Sequence, residues 1–221
     1  MSSRETFLAR VRQAVKDGNR AGAAAPLPER GPIGYQGGGA DPLKTFVAMC
    51  QAMGAMPTIV TSRAELLEKI AVVLEMKKAK KVLVGRGPVM ERLAIEPWVR
   101  STGRDAVAPD APKETLFAVD ISVTGVTSLI AETGSLVVAV NPEMTRSESL
   151  LPPVHIAVAL REQIVPDLFD VFDAYSATKP PPSNLVFITG PSKTGDIELK
   201  LVTGVHGPGE VHVLILDAPH G

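Results

Sequence analysis

At 221 residues the chain is long enough to bury a full core, and 45% hydrophobic residues with only 4% aromatics make that core aliphatic, which favours helices layered on sheet. Lys plus Arg number 23 against 24 Asp plus Glu, and the net charge of -1 excludes a basic field able to gather nucleic acid or an anionic membrane. The single cysteine, Cys50, excludes an internal disulfide and cannot by itself hold an iron-sulfur cluster or a structural zinc.

The N-terminal segment is charged from Arg4 onward without an apolar signal core. No run approaches the roughly 20 apolar residues of a membrane span, so a cytoplasmic location is expected. Ser2 and Glu5 have capping-box spacing, and Phe7, Leu8, Val11 and Val15 follow at helical intervals, which predicts a short amphipathic helix to about Asp17. Residues 18–40 are rich in Gly, Ala and Pro and read as a linker, so residues 1–40 form an arm and residues 41–221 the main domain.

Asp41 as N-cap and Pro42 at the first helical position start a helix that should stop near Gly54, with Cys50 on its apolar face as a buried thiol. A strand at 58–60, a helix capped by Ser62 with Glu65 and a strand at 81–84 give a β-α-β rhythm. Directly after that strand, Gly85, Gly87 and Met90 stand where a GxGxxG fingerprint has its glycines. The third glycine is missing and no acidic ribose partner follows at the usual distance, so the segment reads as a structural turn rather than a nicotinamide site. Apolar or β-branched runs recur at 118–124, 136–140, 155–160, 185–189 and 211–216. Several are continuous rather than alternating, as in strands covered on both faces. The implied fold is a three-layer α/β/α arrangement with a mainly parallel sheet, in which functional residues belong just after the strands, beyond their carboxyl ends.

Three motifs carry candidate chemistry. In AETGS, residues 131–135, Glu132 interrupts an apolar stretch between a possible short helix and the strand at 136. Such a carboxylate either bonds nearby backbone amides or acts as a general base, a nucleophile or a ligand contact. GPSKTGD, residues 190–196, has the glycine gap of a phosphate loop but Asp196 in the lysine position, where it repels a γ-phosphate. That leaves an anion-binding turn built from Ser192, Lys193 and Thr194, or a structural helix cap. His206 sits in GVHGP between glycines that let a ligand approach the backbone, and His155 opens a strand after two prolines. Either imidazole can donate to a carboxylate or shuttle a proton near neutral pH. The histidines, Asp196 and Glu198 lack metal-ligand spacing, so no metal is expected. Glu132, Asp196 and His206 are expected to meet in one cleft, with the hydroxyls of Ser192 and Thr194 as further donors.

In order, DISVTGVTSLIAETGSLVV at 120–138, LLPPVHIAV at 150–158, FITGPSKTGDIE at 187–198 and GVHGP at 204–208 resemble the lactate utilisation (LUD) domain family over about residues 40–217. The resemblance implies a fold like the group of NagB, ribose-5-phosphate isomerase (RpiA) and the CoA transferases. It implies a role in oxidising L-lactate to pyruvate beside partner proteins that carry the iron-sulfur clusters, this chain having no intrinsic cofactor. Glu132 and His206 are then the catalytic candidates. Thr133, Gly134, His155, Ser192, Lys193, Thr194, Asp196 and Glu198 are the candidates for binding a small carboxylate or a partner's cofactor. Glu132-Thr133-Gly134 also matches the E-x-G context of the nucleophilic glutamate in CoA transferases, which keeps an acyl-transferring enzyme open beside a noncatalytic assembly or regulatory module. The family commonly has Arg and Ala where this chain has Lys193 and Gly195, which removes a bidentate clamp from position 193.

Overall fold

The computed structural model describes residues 3–18, 37–141, 144–176, 181–195 and 201–218, and divides into two compact units, residues 1–35 and 36–221. In the first unit the described element is helix α1 (Ser3–Gly18), with Glu5 in its first turn and Lys16 in its last, each suited to the helix dipole. Phe7, Leu8, Val11 and Val15 are exposed on it.

The second unit runs α2 (Pro42–Ala52), β1 (Met56–Val60), α3 (Arg63–Met76), β2 (Lys81–Val84), α4 (Pro88–Arg92), α5 (Ile95–Ser101), β3 (Asp105–Val107), α6 (Lys113–Phe117) and β4 (Ile121–Gly125). It continues through β5 (Ser128–Ile130), β6 (Ser135–Val140), α7 (Arg146–Leu150), β7 (Val154–Leu160), β8 (Ile164–Val165), α8 (Leu168–Ser176), β9 (Asn184–Ile188), β10 (Lys193–Gly195), β11 (Leu201–Thr203) and β12 (Glu210–Leu216). Local chemistry fixes the starts. Asp41 caps α2 by accepting from the Lys44 N–H at 3.2 Å, and Ser62 caps α3 by accepting from the Glu65 N–H at the same length. The Glu65 carboxylate then turns back to the N–H and hydroxyl of Thr61 rather than to Ser62, which draws it below the usual carboxylate range.

Six parallel strands form the central sheet in the order β1-β12-β7-β4-β2-β3. Every residue of β4 and β7 is buried, which is why these strands read as unbroken apolar runs. One face carries Val82, Ile121, Val123, Ile156 and Val158 against Leu66, Ile70 and Leu74 of α3 and Ile95 and Val99 of α5. The other face carries Ala157, Ala159, Val213 and Ile215 against Phe46 and Cys50 of α2 and against a second sheet, of order β8-β5-β6-β9. The layered α/β/α class thus holds, with two corrections. The short helix expected before Glu132 is strand β5, because its Leu129 and Ile130 are buried as the partner of β6. The runs at 136–140 and 185–189 belong to the second sheet, where β6 pairs antiparallel with both β5 and β9.

Candidate functional site

The motif stretches meet at the amino end of the central sheet. The AETGS turn joins β5 to β6, and the N–H groups of Ala131 and Glu132 are held by the carbonyls of Val165 and Pro166 at 2.9 and 3.1 Å. Gly134 has φ +66°, and a Cβ there would lie 2.3 Å from the backbone nitrogen of Cys50, so only glycine lets the turn touch α2. From this turn a file of hydroxyls crosses to the next motif. Thr133 Oγ1 lies 2.7 Å from Ser135 Oγ, which lies 2.8 Å from Thr189 Oγ1.

Thr189 precedes the GPSKTG segment. Gly190, at φ +82°, packs on the end of α2 so closely that a Cβ would sit 2.4 Å from the Met53 carbonyl oxygen. Lys193 Nζ donates to that same carbonyl at 2.7 Å, placing a cation on the C-terminal end of α2 where the helix dipole favours it. Lys193 therefore ties its loop to the helix. Residues 193–195 pair as an antiparallel hairpin with β11. Ser192 docks the third motif: its N–H donates to the Pro208 carbonyl at 2.8 Å, its carbonyl accepts from Gly204 at 3.0 Å, and its Oγ accepts from the His206 N–H at 3.4 Å. Gly209 in turn donates to the Pro153 carbonyl at 3.0 Å. The loops before β1, β12 and β7, neighbours in the sheet, are thereby laced together.

The sequence candidates divide on this geometry. Thr133, Ser192, Lys193 and His206 lie on the laced surface, Glu132 is half-buried beside Gly134, and Thr194 is half-buried in β10. Asp196 and Glu198 lie outside the described residues. The expected placement after the carboxyl ends of the parallel strands is corrected: His206 precedes β12 and Lys193 meets the chain just before β1, both at the amino edge. His155 is fully enclosed. Its Nε2 lies 2.8 Å from Thr124 Oγ1, and burial lowers the imidazole to about 4, so it is neutral at pH 7. Its Nδ1 and the Oγ of Ser122, its register neighbour on β4, are buried without a hydrogen-bonding partner. Cys50 is likewise buried, its thiol pushed up to about 12. Among the described residues, no three His, Cys, Asp or Glu side chains are grouped as metal ligands.

Sequence reasoning missed a second place, at the carboxyl edge. There the chain passes from β2 to β3 on one side and returns to β4 on the other. After β2 it enters α4 and α5 on the α3 face, and after β4 it leaves toward the second sheet on the opposite face. Two adjoining cavities, of about 390 and 180 Å3, share Arg86 and Met90; the larger is lined by the chain after β2 alone, and the smaller also by Gly125, Val126 and Thr127 after β4. The signal was present in the Gly85-Arg86-Gly87 loop. Gly87 has φ +113°, and a Cβ on Gly85 would lie 2.7 Å from Glu148 Oε2. Glu148, only 3% exposed, accepts the Thr145 N–H at 2.5 Å; burial raises its carboxyl, and the Thr145 bonds and Arg86 offset part of this.

A parallel sheet between α-helices, with a smaller mixed sheet packed on one face, defines the class of this domain. Its family model, the LUD domain, matches residues 43–216, and the chain belongs to that family. The Lactate utilization protein C of Deinococcus radiodurans is 32% identical over 202 residues, covering 90% of this chain and 89% of the relative. That of an Exiguobacterium species is 32% identical over 133 residues, spanning 56% of this chain and 58% of the relative's length. A crystal structure of a DUF162 family protein from Deinococcus radiodurans superposes with a TM-score of 0.59 at 27% identity, covering 79% of this chain and 95% of that one.

Proposed function

We propose that this chain is a component of a bacterial L-lactate utilisation system, in which L-lactate is oxidised to pyruvate together with iron-sulfur partner proteins. The observation that carries the reading is the lacing of AETGS, GPSKTG and GVHGP into one surface by the Thr133–Ser135–Thr189 hydroxyls and by Ser192. That surface presents hydroxyls and the exposed His206, donors suited to a small carboxylate or to a cofactor offered by a partner. The buried Cys50 supports placing the clusters on the partners rather than here. The test is lactate-dependent dye reduction by the system reconstituted with its iron-sulfur partners. His206→Ala should lower it by at least about tenfold with the melting temperature unchanged, and Ser192→Ala should lower it as far with a small loss of stability, because its Oγ also accepts the His206 N–H. Full activity of both variants sinks the reading.

Half-burial of Glu132 next to Gly134 keeps a second reading, acyl transfer with Glu132 as nucleophile. Incubation with acyl-CoA followed by mass spectrometry decides it, since a covalent adduct on Glu132 is required. If neither chemistry appears while the partners still assemble with the chain, it is a noncatalytic assembly module.

A further inference from the structure

The crevice between β2 and β4 at the carboxyl edge has no part in the surface just described. Where a parallel sheet reverses its strand order, the loops part to opposite faces and leave a crevice in which such folds bind nucleotides. The larger lobe lies beside that crevice, against the chain after β2, and is lined by Arg86, Met90, Glu91, Ala94, Glu96 and Pro97. The smaller is lined by residues that include Val89, Gly125, Val126 and Met144, and Arg86 opens to both. The two lobes together leave room for more than a lactate. A three-carbon acid has six heavy atoms, and even at the roughly 30 Å3 that a water claims in the liquid it needs no more than about 180 Å3. The larger lobe alone holds about 390 Å3.

The chemistry of the lining is divided in a way that suits a phosphorylated nucleoside. Arg86 supplies a guanidinium with five donors, of which Asp110 takes one through Nη2 at 2.7 Å. Both partners of that pair are exposed, so it is weak and readily exchanged for a phosphate. Glu91 and Glu96 supply acceptors of the kind that hold ribose hydroxyls, Glu96 through Oε2 since Arg100 already donates to its Oε1, and Met90, Ala94 and Pro97 supply apolar walls for a base. Pro88 opens α4 without an N–H to offer, and the cation at this place is the guanidinium of Arg86. Gly85 and Gly87 fix where Arg86 stands: the first yields to Glu148 and Thr124, and the second takes a φ that other residues avoid. We propose that this crevice is a ribonucleotide-binding site, with Arg86 on the phosphate and Glu91 and Glu96 on the ribose.

The test is calorimetric titration of the full-length protein with AMP, ADP and NAD+, and with adenosine, inorganic phosphate, L-lactate and pyruvate as further arms. Amide chemical shifts locate any binding. Saturable binding of at least one nucleotide is expected, with shifts concentrated at Gly85, Gly87 and Gly125 and much weaker binding of adenosine or phosphate alone. Arg86→Gln should weaken nucleotide binding at least about tenfold, through the loss of charge-assisted hydrogen bonds. Pro97→Trp, at an exposed position on the lobe wall, should block it by filling the space. No nucleotide binding up to millimolar concentration overturns the proposal. So does binding that both variants leave intact, or Arg86-dependent binding of lactate or pyruvate in preference to nucleotides. Dye reduction by the lactate system is read separately, so loss of one reading leaves the other standing.

Discussion

The two ends of the central sheet are built on different plans. At the amino edge, three stretches of distinctive sequence are pinned to one another and to the end of α2 by main-chain bonds, by Lys193 and by two glycines that no other residue can replace. At the carboxyl edge two adjoining cavities lie along the chain after β2, the smaller reaching the loop after β4, with Arg86 lining both. The contrast teaches that the stretches carrying the family resemblance can be bound together at one end of a sheet while cavities open at the other.

The largest expected effect breaks the first plan. Gly134→Ala and Gly190→Ala each drive a methyl group into the backbone of α2 or its cap, and each should cost on the order of 3 to 5 kcal/mol in denaturant-induced unfolding. A cost below about 1 kcal/mol would show that the motif loops are not fixed on the helix.

Between the two edges lies His155, whose titration measures how dry the middle of the sheet is. With the folded group at about 4 and the unfolded one near 6.5, the unfolded chain binds more protons in that interval. Stability from His155 is therefore complete above about pH 6.5 and is lost as pH falls toward 4, by about 3 kcal/mol. Denaturation curves at pH 7 and pH 4.5 should show this loss in the native protein and a smaller one in His155→Gln. Equal losses would mean that water reaches the imidazole.

Glu148 probes the carboxyl edge with the opposite sign. Burial raises its carboxyl, so the folded state holds the proton more firmly than the unfolded one, and the group costs stability as pH rises above the usual carboxylate range. Glu148→Gln should be neutral or gain up to about 1 kcal/mol at pH 7, provided the amide keeps the Thr145 cap. A loss above about 1 kcal/mol would instead show that the charge is needed opposite Arg86.

The smallest effect should come from His206→Ala. The side chain is exposed, and the bond from this residue to Ser192 uses its backbone N–H, so the stability change should stay within about 0.5 kcal/mol by thermal melting. A larger loss would make the imidazole part of the lacing rather than of a binding surface.

Much of the fold was legible in the chain. The strand at Lys81–Val84, the Asp41 and Ser62 caps and the unbroken apolar runs of β4 and β7 follow from local chemistry and two-sided burial. The second sheet was not legible, because β5 has three residues and gains its strand character from pairing with β6 and β8. At the amino edge the three motifs were visible, but not the role of Lys193, which depends on a carbonyl 140 residues away in sequence. Arg86 and Glu148 escaped notice for the same reason. Arg86 lines both cavities and Glu148 stands against Gly85, and the glycines of that loop read as no more than a structural turn.

Strand order also has a consequence for synthesis. Strand β1 lies at the rim of the sheet and pairs there with β12, a register that runs from Met56 opposite His212 to Val60 opposite Leu216. At the roughly 5 to 20 residues per second of translation, the 156 residues between positions 60 and 216 take about 8 to 30 s to appear. Throughout that interval the nascent chain carries β1 without its mate, so the central sheet closes only when the last strand leaves the ribosome and slides in between β1 and β7.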